Sequence, residues 1–179
     1  MVLELASGIG QHTYKIILTG ARVVTTDISF HSLKVLKKWV ERVETSVADM
    51  ESLPFKENTF NVVVSAGSLS YGKPELVDSE IRRVLRPGGI FICVDSLNYN
   101  PIYRLNRWLH YKRGERTKST LLYMPTIKRI KSIIRGFNSY EIRFFGSVSY
   151  LTPMLARIIG QYNAARVSDI IDRLVCVRH

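Results

Sequence analysis

Apolar residues along this chain fall into short continuous runs that alternate with amphipathic segments. A short apolar run is typical of a buried strand, whereas apolar residues at intervals of three and four are typical of a helix. The alternating pattern predicts strands at residues 1–5, 21–26, 45–48, 60–65 and 90–95. Because amphipathic segments separate these runs, the pattern predicts an α/β fold with a mostly parallel sheet and helices on both faces.

Two of the amphipathic segments show which helix face should be buried. The first places Leu33, Leu36, Val40 and Val43 on one face and Lys34, Lys37, Lys38 and Glu41 on the other. The second carries Val77, Ile81, Val84 and Leu85 on one face and ends at Pro87 and Gly88-Gly89. Further along, we expect a strand at 139–145, a helix at 161–172 and a last strand at 173–178.

The first predicted strand leads directly into a glycine-rich turn, VLELASGIG, that contains one carboxylate, Glu4. Gly8 and Gly10 lack a Cβ, so a ligand can lie against the bare peptide groups of this turn. The small side chains of Ala6 and Ser7 keep the turn compact, and alanine at position 6 fits a turn that needs no positive φ. The pattern predicts a nucleotide-type cofactor site.

An acid ends the second predicted strand, 17 residues after Gly10, where Asp27 can accept hydrogen bonds from the hydroxyls of a ribose. A dinucleotide-binding turn would need G-x-G-x-x-G, but Thr13 occupies the place of the third glycine. The motif is instead an acid, three residues, and G-x-G, followed by a downstream acid. Asp27 could equally act as a helix N-cap, and the glycines could be simple turn residues.

At these residues the chain resembles the class I S-adenosylmethionine-dependent methyltransferases. It is most similar to the small-molecule branch, which includes ubiquinone and menaquinone biosynthesis enzymes and many sugar and natural-product methyltransferases. The resemblance continues to residue 95 through three segments: VADMESLPF at 47–55, FNVVVSAGSLSYG at 60–72 and RVLRPGGIFICVDS at 83–96. The order and spacing of these segments carry the resemblance, since each motif by itself is weak.

The resemblance implies S-adenosyl-L-methionine as cofactor and S-adenosyl-L-homocysteine as product. It also implies the residues that would bind the cofactor, among them Asp49 for the adenine amino group and Met50 against the ring. The full set of expected cofactor-binding residues is Glu4, Ala6, Ser7, Gly8, Gly10, Asp27, Ile28, Asp49, Met50 and Ser65. From the residues themselves, Asp49 could instead cap the bend before Pro54.

The family fold implies a Rossmann-like sheet of seven strands in the order 3-2-1-4-5-7-6, with the last strand antiparallel. We interpret residues 1–179 as a single methyltransferase domain of this kind. Relatives usually carry a helix before the first strand that closes over the cofactor, whereas this sequence begins on the strand. We therefore expect this N-terminal cap helix to be missing from residues 1–179.

An insertion at residues 97–138 separates the fifth and sixth predicted strands, and the family usually selects its substrate there. It holds ten basic residues and one acid, Glu115; the basic residues are Arg104, Arg107, Lys112, Arg113, Arg116, Lys118, Lys128, Arg129, Lys131 and Arg135. Two apolar stripes accompany them: Ile102, Leu105 and Leu109, then Ile127, Ile130 and Ile134. One reading makes the stripes core and the charges a solvated face; the others are an anionic acceptor, a membrane surface or nucleic acid.

Methyl transfer needs an aligned acceptor and, for a hydroxyl nucleophile, a general base. Tyr71 and His110 are the catalytic candidates, and Asp95 is a third acid that could instead cap a turn. The segment at Ser65 lacks the Asp/Asn-Pro-Pro-aromatic motif of nucleic-acid amino methyltransferases, which makes a nucleic-acid substrate unexpected. No metal-ligand spacing of cysteines and histidines occurs.

These features predict a metal-free methyltransferase for a small molecule, with O-methylation of a sugar or of an anionic glycan or lipid-linked acceptor as the leading hypothesis. The alternative is a non-catalytic module that uses the insertion to bind a polyanion or a partner subunit. Peripheral contact with a membrane is left open, and the oligomeric state is not predicted.

Composition is consistent with this enzyme class. The chain has 179 residues, of which 46% are hydrophobic, and a net charge of +11. No apolar run approaches the roughly 18 residues of a membrane span, and the N-terminus does not resemble a signal peptide. Cys93 and Cys176 both fall in predicted buried strands and do not form a disulfide framework. We therefore expect a reducing, cytoplasmic location.

Overall fold

A computed structural model describes residues 1–41, 43–99, 101–115, 117–145, 152–174 and 177–178. The chain forms two compact units, Met1–Ile130 and Lys131–His179. The interpretation of residues 1–179 as one domain stays a prediction. Across the described residues, no helix is both long enough and apolar enough to cross a membrane.

The first unit is built on a five-stranded parallel sheet in the order β3-β2-β1-β4-β5. Its strands are β1 (Val2–Leu5), β2 (Val23–Asp27), β3 (Glu44–Val47), β4 (Phe60–Ala66) and β5 (Leu85–Val94). Its helices are α1 (Thr13–Ile17), α2 (Phe30–Trp39), α3 (Pro74–Val84), α4 (Pro101–Lys112) and α5 (Lys118–Leu122). All five predicted strands are present, and the parallel α/β class is confirmed.

The centre of the sheet is apolar because β1 lies between β2 and β4 and is covered on both faces. Leu3 pairs with Val24 on one side and Val63 on the other, and Leu3 and Val63 have no exposed surface. Strands buried on both faces need continuous apolar runs, which is why the sequence pattern located them. Helix α2 packs Leu33 and Leu36 inward, as its periodicity predicts.

Helix α3 ends at Val84, before the predicted stop at Pro87, because Leu85 is the first residue of β5 and pairs with Phe60. Strand β5 also departs from the prediction in its burial. Cys93 is exposed rather than buried, since β5 is paired only with β4 on the described residues and forms the edge of this sheet. Cys176 lies outside the described residues.

The C-terminal elements are α6 (Ile127–Ile134), which spans the division between the units, and then β6 (Glu141–Ile142), α7 (Thr152–Ile159), α8 (Gln161–Leu174) and β7 (Val177–Arg178). Strands β6 and β7 pair antiparallel in a two-stranded sheet of their own. The predicted helix at 161–172 is present as α8. A single sheet of seven strands is not confirmed, because the described part of the chain shows five strands in one sheet and two in another.

Candidate functional site

Three residues of the glycine-rich turn after β1 have left-handed backbone conformations. The φ angles are 47° at Ala6, 58° at Gly8 and 87° at Gly10. The expectation that position 6 needs no positive φ is therefore wrong, and its alanine adopts a conformation that L-residues with a Cβ rarely take. The turn consequently holds local strain at the point where β1 ends.

Gly10 is required by packing as well as by its φ angle. A Cβ on Gly10 would lie 2.7 Å from Cγ of Leu36, a buried residue of α2. At Gly8, by contrast, no atom lies within 4 Å of the Cβ position. Gly10 thus lets α2 approach the turn, whereas Gly8 faces open space.

Glu4 is buried at the end of β1, with 2% of its surface exposed. The hydroxyl of Thr13 donates a hydrogen bond to Oε2 of Glu4 at 2.5 Å. Burial raises the pKa of the Glu4 carboxyl above its ordinary value, and the Thr13 hydrogen bond partly opposes this. Thr13, at the place of the third glycine of a dinucleotide motif, is therefore the partner of the first acid.

Asp27 links the end of β2 to the glycine turn. Its Oδ2 accepts a hydrogen bond from the amide of Gly8 at 2.7 Å, and its Oδ1 accepts from the amide of Ser29 at 2.8 Å. Helix α2 is capped by Ser29, whose hydroxyl accepts from the amide of Ser32, and not by Asp27. Each carboxylate oxygen of Asp27 has a second lone pair that can accept a hydroxyl.

A cavity of about 290 Å³ opens at the carboxyl ends of β1 and β4. Four of the predicted cofactor residues line it: Glu4, Ala6, Ser7 and Gly8. Five further residues line it that were not predicted as site residues: Leu5, Ile9, Gln11, His12 and Ala66. The position agrees with the rule that ligands of parallel α/β sheets bind beyond the carboxyl ends of the strands.

The other predicted cofactor residues do not line this cavity. Gly10 and Ser65 are buried, and Ser65 shares a hydrogen bond with the hydroxyl of Ser68 at 2.7 Å. Ile28 is exposed beside Asp27. Asp49 is exposed and its Oδ1 accepts from the amide of Glu51, so it caps the bend after β3.

Met50 connects this bend to the loop after β4. A Cβ on Gly72 would lie 3.3 Å from both Cγ and Sδ of Met50, so the two residues are in close contact. Met50 is itself 9% exposed. The segment after β3 is thereby held against the loop after β4, residues 67–72, at the same end of the sheet as the cavity.

Comparison with known proteins shows the family of this fold. A protein family described as "Methyltransferase domain" matches residues 3–93, from β1 through most of β5 and therefore half of the chain. The chain belongs to this methyltransferase family. The resemblance to small-molecule S-adenosylmethionine-dependent enzymes is thus confirmed at the level of the family.

Relatives of this methyltransferase domain act on varied small molecules, according to their names. A demethylmenaquinone methyltransferase of Clavibacter sepedonicus is 35% identical over 116 residues, which cover 62% of this chain and 47% of that protein. A sterol 4-C-methyltransferase of Caenorhabditis elegans is 35% identical over 98 residues, covering 53% and 29%. The chain spans about half the length, or less, of the curated relatives it matches.

Solved structures show the same fold. The PH0226 protein of Pyrococcus horikoshii has a TM-score of 0.53 at 30% identity, covering 63% of this chain and 53% of that one. Geranyl diphosphate C-methyltransferase of Streptomyces coelicolor, solved with Mg²⁺, geranyl diphosphate and S-adenosyl-L-homocysteine, has a TM-score of 0.63 at 14% identity, covering 79% and 54%. At that identity the second likeness concerns the fold alone.

The loop after β4 of the methyltransferase domain is held from β5 by Asp95. Oδ2 of Asp95 accepts from the amide of Leu69 at 2.9 Å, and its Oδ1 accepts from the amide of Ser96 at 2.7 Å. Burial raises the pKa of the Asp95 carboxyl, and the two amide hydrogen bonds oppose this. Tyr71, in the same loop, is exposed. Asp95 therefore orders the loop that presents Tyr71.

Two arginines of the insertion hold the same loop from the other side. Nη1 of Arg107 in α4 donates to Oγ of Ser70 at 3.2 Å, and Nη1 of Arg129 in α6 donates to the carbonyl of Leu69 at 2.7 Å. Both arginines are buried, with 4% and 8% of their surface exposed. The reading of all the insertion charges as a solvated face is therefore wrong for these two residues.

His110 lies on α4, and its Nδ1 contacts the Glu115 carboxylate. Neither His110 nor Tyr71 lines the cavity, so the structure does not bring the two catalytic candidates together with the cofactor turn. No cluster of three or more histidine, cysteine or acidic side chains suited to a metal occurs in the described ranges.

The site residues that were not predicted have residue types that do not by themselves indicate a role in the site. Ile9, Gln11 and Ala66 line the cavity by position, at the end of a strand or within the turn, and any small or polar residue could stand there. Arg107 and Arg129 were not distinguished from the other basic residues, because the spacing of an arginine along a helix does not show whether its side chain is buried. The lack of acidic partners in the insertion hid the fact that the partner of Arg129, Asp78, comes from α3.

Proposed function

We propose that this chain is an S-adenosyl-L-methionine-dependent methyltransferase that acts on a small molecule. One observation carries the proposal: the carboxylates of Glu4 and Asp27 lie at the carboxyl ends of two adjacent parallel strands, where Glu4 lines the cavity and Asp27 accepts a hydrogen bond from Gly8 of the turn that lines it. Two acids beside this turn suit a ligand that is polyhydroxylated and positively charged.

The residues present fit this cofactor. The cavity of about 290 Å³ lies at the lower edge of the range of small-molecule sites, which run from about 300 to 1,000 Å³. The space above Gly8 is open, so a ligand can contact the peptide groups of the turn. Glu4 is a buried carboxylate without a cationic partner among its hydrogen bonds, and a bound ammonium group would compensate its burial.

Four of the predicted residues then have a task in binding. Asp27 accepts the ribose hydroxyls with the lone pairs that Gly8 and Ser29 leave free, while Glu4 attracts the positively charged end of the cofactor. Asp49 and Met50 hold the adenine, as the family resemblance implies. When bound, the cofactor supplies a methyl group activated by its sulfonium sulfur.

The chain's own contribution to transfer is alignment and proton removal at the acceptor. The loop after β4 begins next to Ala66, which lines the cavity, so Tyr71 is the nearer candidate along the chain to orient a hydroxyl acceptor. His110, held by Glu115, is the second candidate for the base. The acceptor we propose is a sugar or an anionic glycan or lipid-linked molecule that is methylated on oxygen.

The names of the relatives support a small-molecule acceptor. They include enzymes named for demethylmenaquinone and for a sterol. These acceptors differ among themselves, and the insertion that would select the acceptor lies beyond the matched residues 3–93. We therefore expect the cofactor site, rather than the acceptor site, to be shared with them.

Isothermal titration calorimetry of the 179-residue chain with S-adenosyl-L-methionine and S-adenosyl-L-homocysteine tests the proposal. Micromolar binding that Asp27→Asn weakens by about 1–3 kcal/mol is expected, because that variant loses one charged acceptor. Glu57→Gln is the matched control: it removes one exposed negative charge before β4, at the opposite end of the sheet. Binding that Asp27→Asn leaves unchanged contradicts the assignment.

The acceptor is then sought by following methyl transfer to sugars, phosphorylated sugars and isoprenoid phosphates. Tyr71→Phe and His110→Gln are expected to lower kcat, by about 10²-fold or more for a true general base, with little change in cofactor affinity. Equal turnover by both variants would remove these residues as catalytic candidates.

The second candidate function is a non-catalytic module of the same fold that binds a polyanion or a partner subunit. The basic residues of the insertion other than the buried Arg107 and Arg129 favour it, whereas the retained pair Glu4 and Asp27 favours the enzyme. No binding of either cofactor form, combined with strongly salt-dependent binding of heparin, would select the module.

A further inference from the structure

Helix α4 buries a charged side chain and exposes apolar ones, the reverse of the usual amphipathic helix. Its inward face centres on Arg107, which is 4% exposed, with Tyr103 and His110 one turn away on either side. Its outward face carries Leu105, Trp108 and Leu109, which are 56%, 46% and 39% exposed. Leu105 and Leu109, which one reading of the sequence places in the core, are therefore on the surface.

The inversion is held in place by specific hydrogen bonds of Arg107. Its Nη1 donates to Oγ of Ser70 and to the carbonyl of Thr120, both at 3.2 Å, and its Nη2 donates to the hydroxyl of Tyr103 at 3.0 Å. Rotating α4 to bury its leucines would expose this arginine and break contacts to the loop after β4 and to α5. The hydrogen bonds of Arg107 thus fix the apolar side chains of α4 on its outer face.

Cations surround this apolar patch. Lys112 lies on the same face, with its Nζ 5.6 Å from the centre of the Trp108 ring. Arg104 and Arg113, both exposed, follow the two edges of the face at helical spacing. Helix α4 contains no acidic residue, and Glu115 just after it is engaged with His110.

We propose that the outer face of α4, defined by Leu105, Trp108, Leu109 and Lys112 with Arg104 and Arg113 at its edges, docks on an anionic lipid bilayer. A helix lying in a membrane interface needs an apolar face for the acyl boundary and cations at the level of the headgroups. Tryptophan prefers that interface, and lysine and arginine can extend their charged ends toward the phosphates. This proposal does not depend on the proposed function.

Charge argues against the other occupants. A second copy of the chain would bring the same cations of α4 against each other, which is unfavourable. Nucleic acid would match the cations but would leave two leucines against a polar phosphate backbone. An anionic bilayer satisfies both the cationic edges and the apolar centre of the face.

The first test measures binding of the 179-residue chain to vesicles by flotation, at low and high salt. Mixed phosphatidylcholine–phosphatidylglycerol vesicles are expected to bind the chain, and pure phosphatidylcholine vesicles to bind it much less. In a Trp39→Phe background, Trp108 is the sole tryptophan. Its emission should shift to the blue on binding and be quenched by bromine-labelled acyl chains; binding without this shift would contradict insertion of the face.

Two variant sets separate the apolar and the charged contributions. Leu105→Gln with Leu109→Gln should weaken vesicle binding by at least about tenfold, since both side chains would enter the acyl boundary. Arg104→Gln, Lys112→Gln and Arg113→Gln together should weaken it by about fivefold for each charge removed. The matched control, Lys34→Gln, Lys37→Gln and Lys38→Gln, removes three exposed lysines from α2 instead.

All the substituted residues are at least partly exposed, and equal melting temperatures would show that the variants fold. The proposal is overturned if anionic vesicles do not bind, or if the α2 control weakens binding as much as the α4 variants. It is also overturned if Leu105→Gln with Leu109→Gln leaves vesicle binding intact but abolishes a dimer seen by sedimentation, which would assign the face to a second copy. Binding of duplex DNA in place of vesicles would assign it to nucleic acid.

Discussion

Asp78 of α3 and Arg129 of α6 form an ion pair with a nitrogen-to-oxygen distance of 3.0 Å, and both side chains are more than nine-tenths buried. The guanidinium also donates to the carbonyl of Leu69. The pair therefore ties the insertion to α3 and, through the same arginine, to the loop after β4. A residue of the basic insertion thus serves the interior of the fold.

Breaking this pair from one side should be strongly destabilising. Arg129→Met leaves the Asp78 carboxylate buried without its partner, which we expect to lower the free energy of unfolding by about 3–5 kcal/mol. Urea denaturation followed by circular dichroism measures the change. The double variant Asp78→Leu with Arg129→Met should recover part of the loss; if it is no more stable than the single variant, the cost does not come from the unpaired charge.

The Glu4 carboxylate should lower the stability of the fold at neutral pH while it increases cofactor affinity. Its folded-state pKa is raised by burial, so the folded protein binds more protons than the unfolded chain between the ordinary and the raised pKa. The contribution of Glu4 to stability is therefore greatest below its ordinary pKa and is lost as the pH rises through the raised value. Glu4→Gln should remove this loss and increase stability at neutral pH by about 1 kcal/mol.

The same substitution should weaken the cofactor. If Glu4 attracts the positive end of S-adenosyl-L-methionine, Glu4→Gln lowers affinity by about 1–3 kcal/mol while the melting temperature rises. Calorimetric titration and thermal melting on one preparation give both quantities. A variant that loses both stability and affinity would show that Glu4 acts mainly as a structural residue.

Ala6 offers a direct measure of strain in the turn. Because its φ is 47°, glycine should relieve steric crowding there, and we expect Ala6→Gly to stabilise the protein by about 0.5–1 kcal/mol despite the greater freedom of the unfolded chain. Ala48→Gly, at a position without positive φ, is the control and should destabilise. Equal losses of stability in both variants would show that the turn is not strained.

The two glycines of the turn should respond differently to alanine. Gly10→Ala places a methyl group 2.7 Å from Leu36 at a φ of 87°, so we expect a loss of stability of about 2–4 kcal/mol. Gly8→Ala meets no atom and should lose only about 1 kcal/mol, chiefly from its φ of 58°. It should nevertheless reduce cofactor affinity, since its methyl group enters the space above the turn.

The parts of this fold that could be predicted are those whose residue pattern is set by neighbours in the sequence. The sequence located all five strands of the sheet. Strand β1 is buried along its whole length and had to be a nearly continuous apolar run, whereas β3 and β5 are largely exposed and were located from their place in the alternating order. The turn motif and Asp27 were likewise readable, because ribose binding and a bare turn demand particular residue types at fixed spacing.

The insertion was less predictable because its organisation is set by distant partners. One reading of the periodicity places Leu105 and Leu109 in the core, yet the hydrogen bonds that hold Arg107 inward leave these leucines on the outer face of α4. The sequence of residues 97–138 does not indicate that Ser70 and Asp78 are the partners of Arg107 and Arg129, since both lie outside that segment. The strain at Ala6 was hidden for a related reason, because backbone angles depend on the whole turn.

Thr13 has a consequence for how this cofactor site could change over evolution. Its hydroxyl is the hydrogen-bond donor to Glu4, and it occupies the place that a dinucleotide site reserves for glycine. Substituting glycine alone would leave a buried acid without its donor, and replacing the acid alone would leave a buried hydroxyl without its acceptor. A lineage moving between the two cofactor classes would therefore have to change both residues together, so each single step is opposed by the residue that has not yet changed.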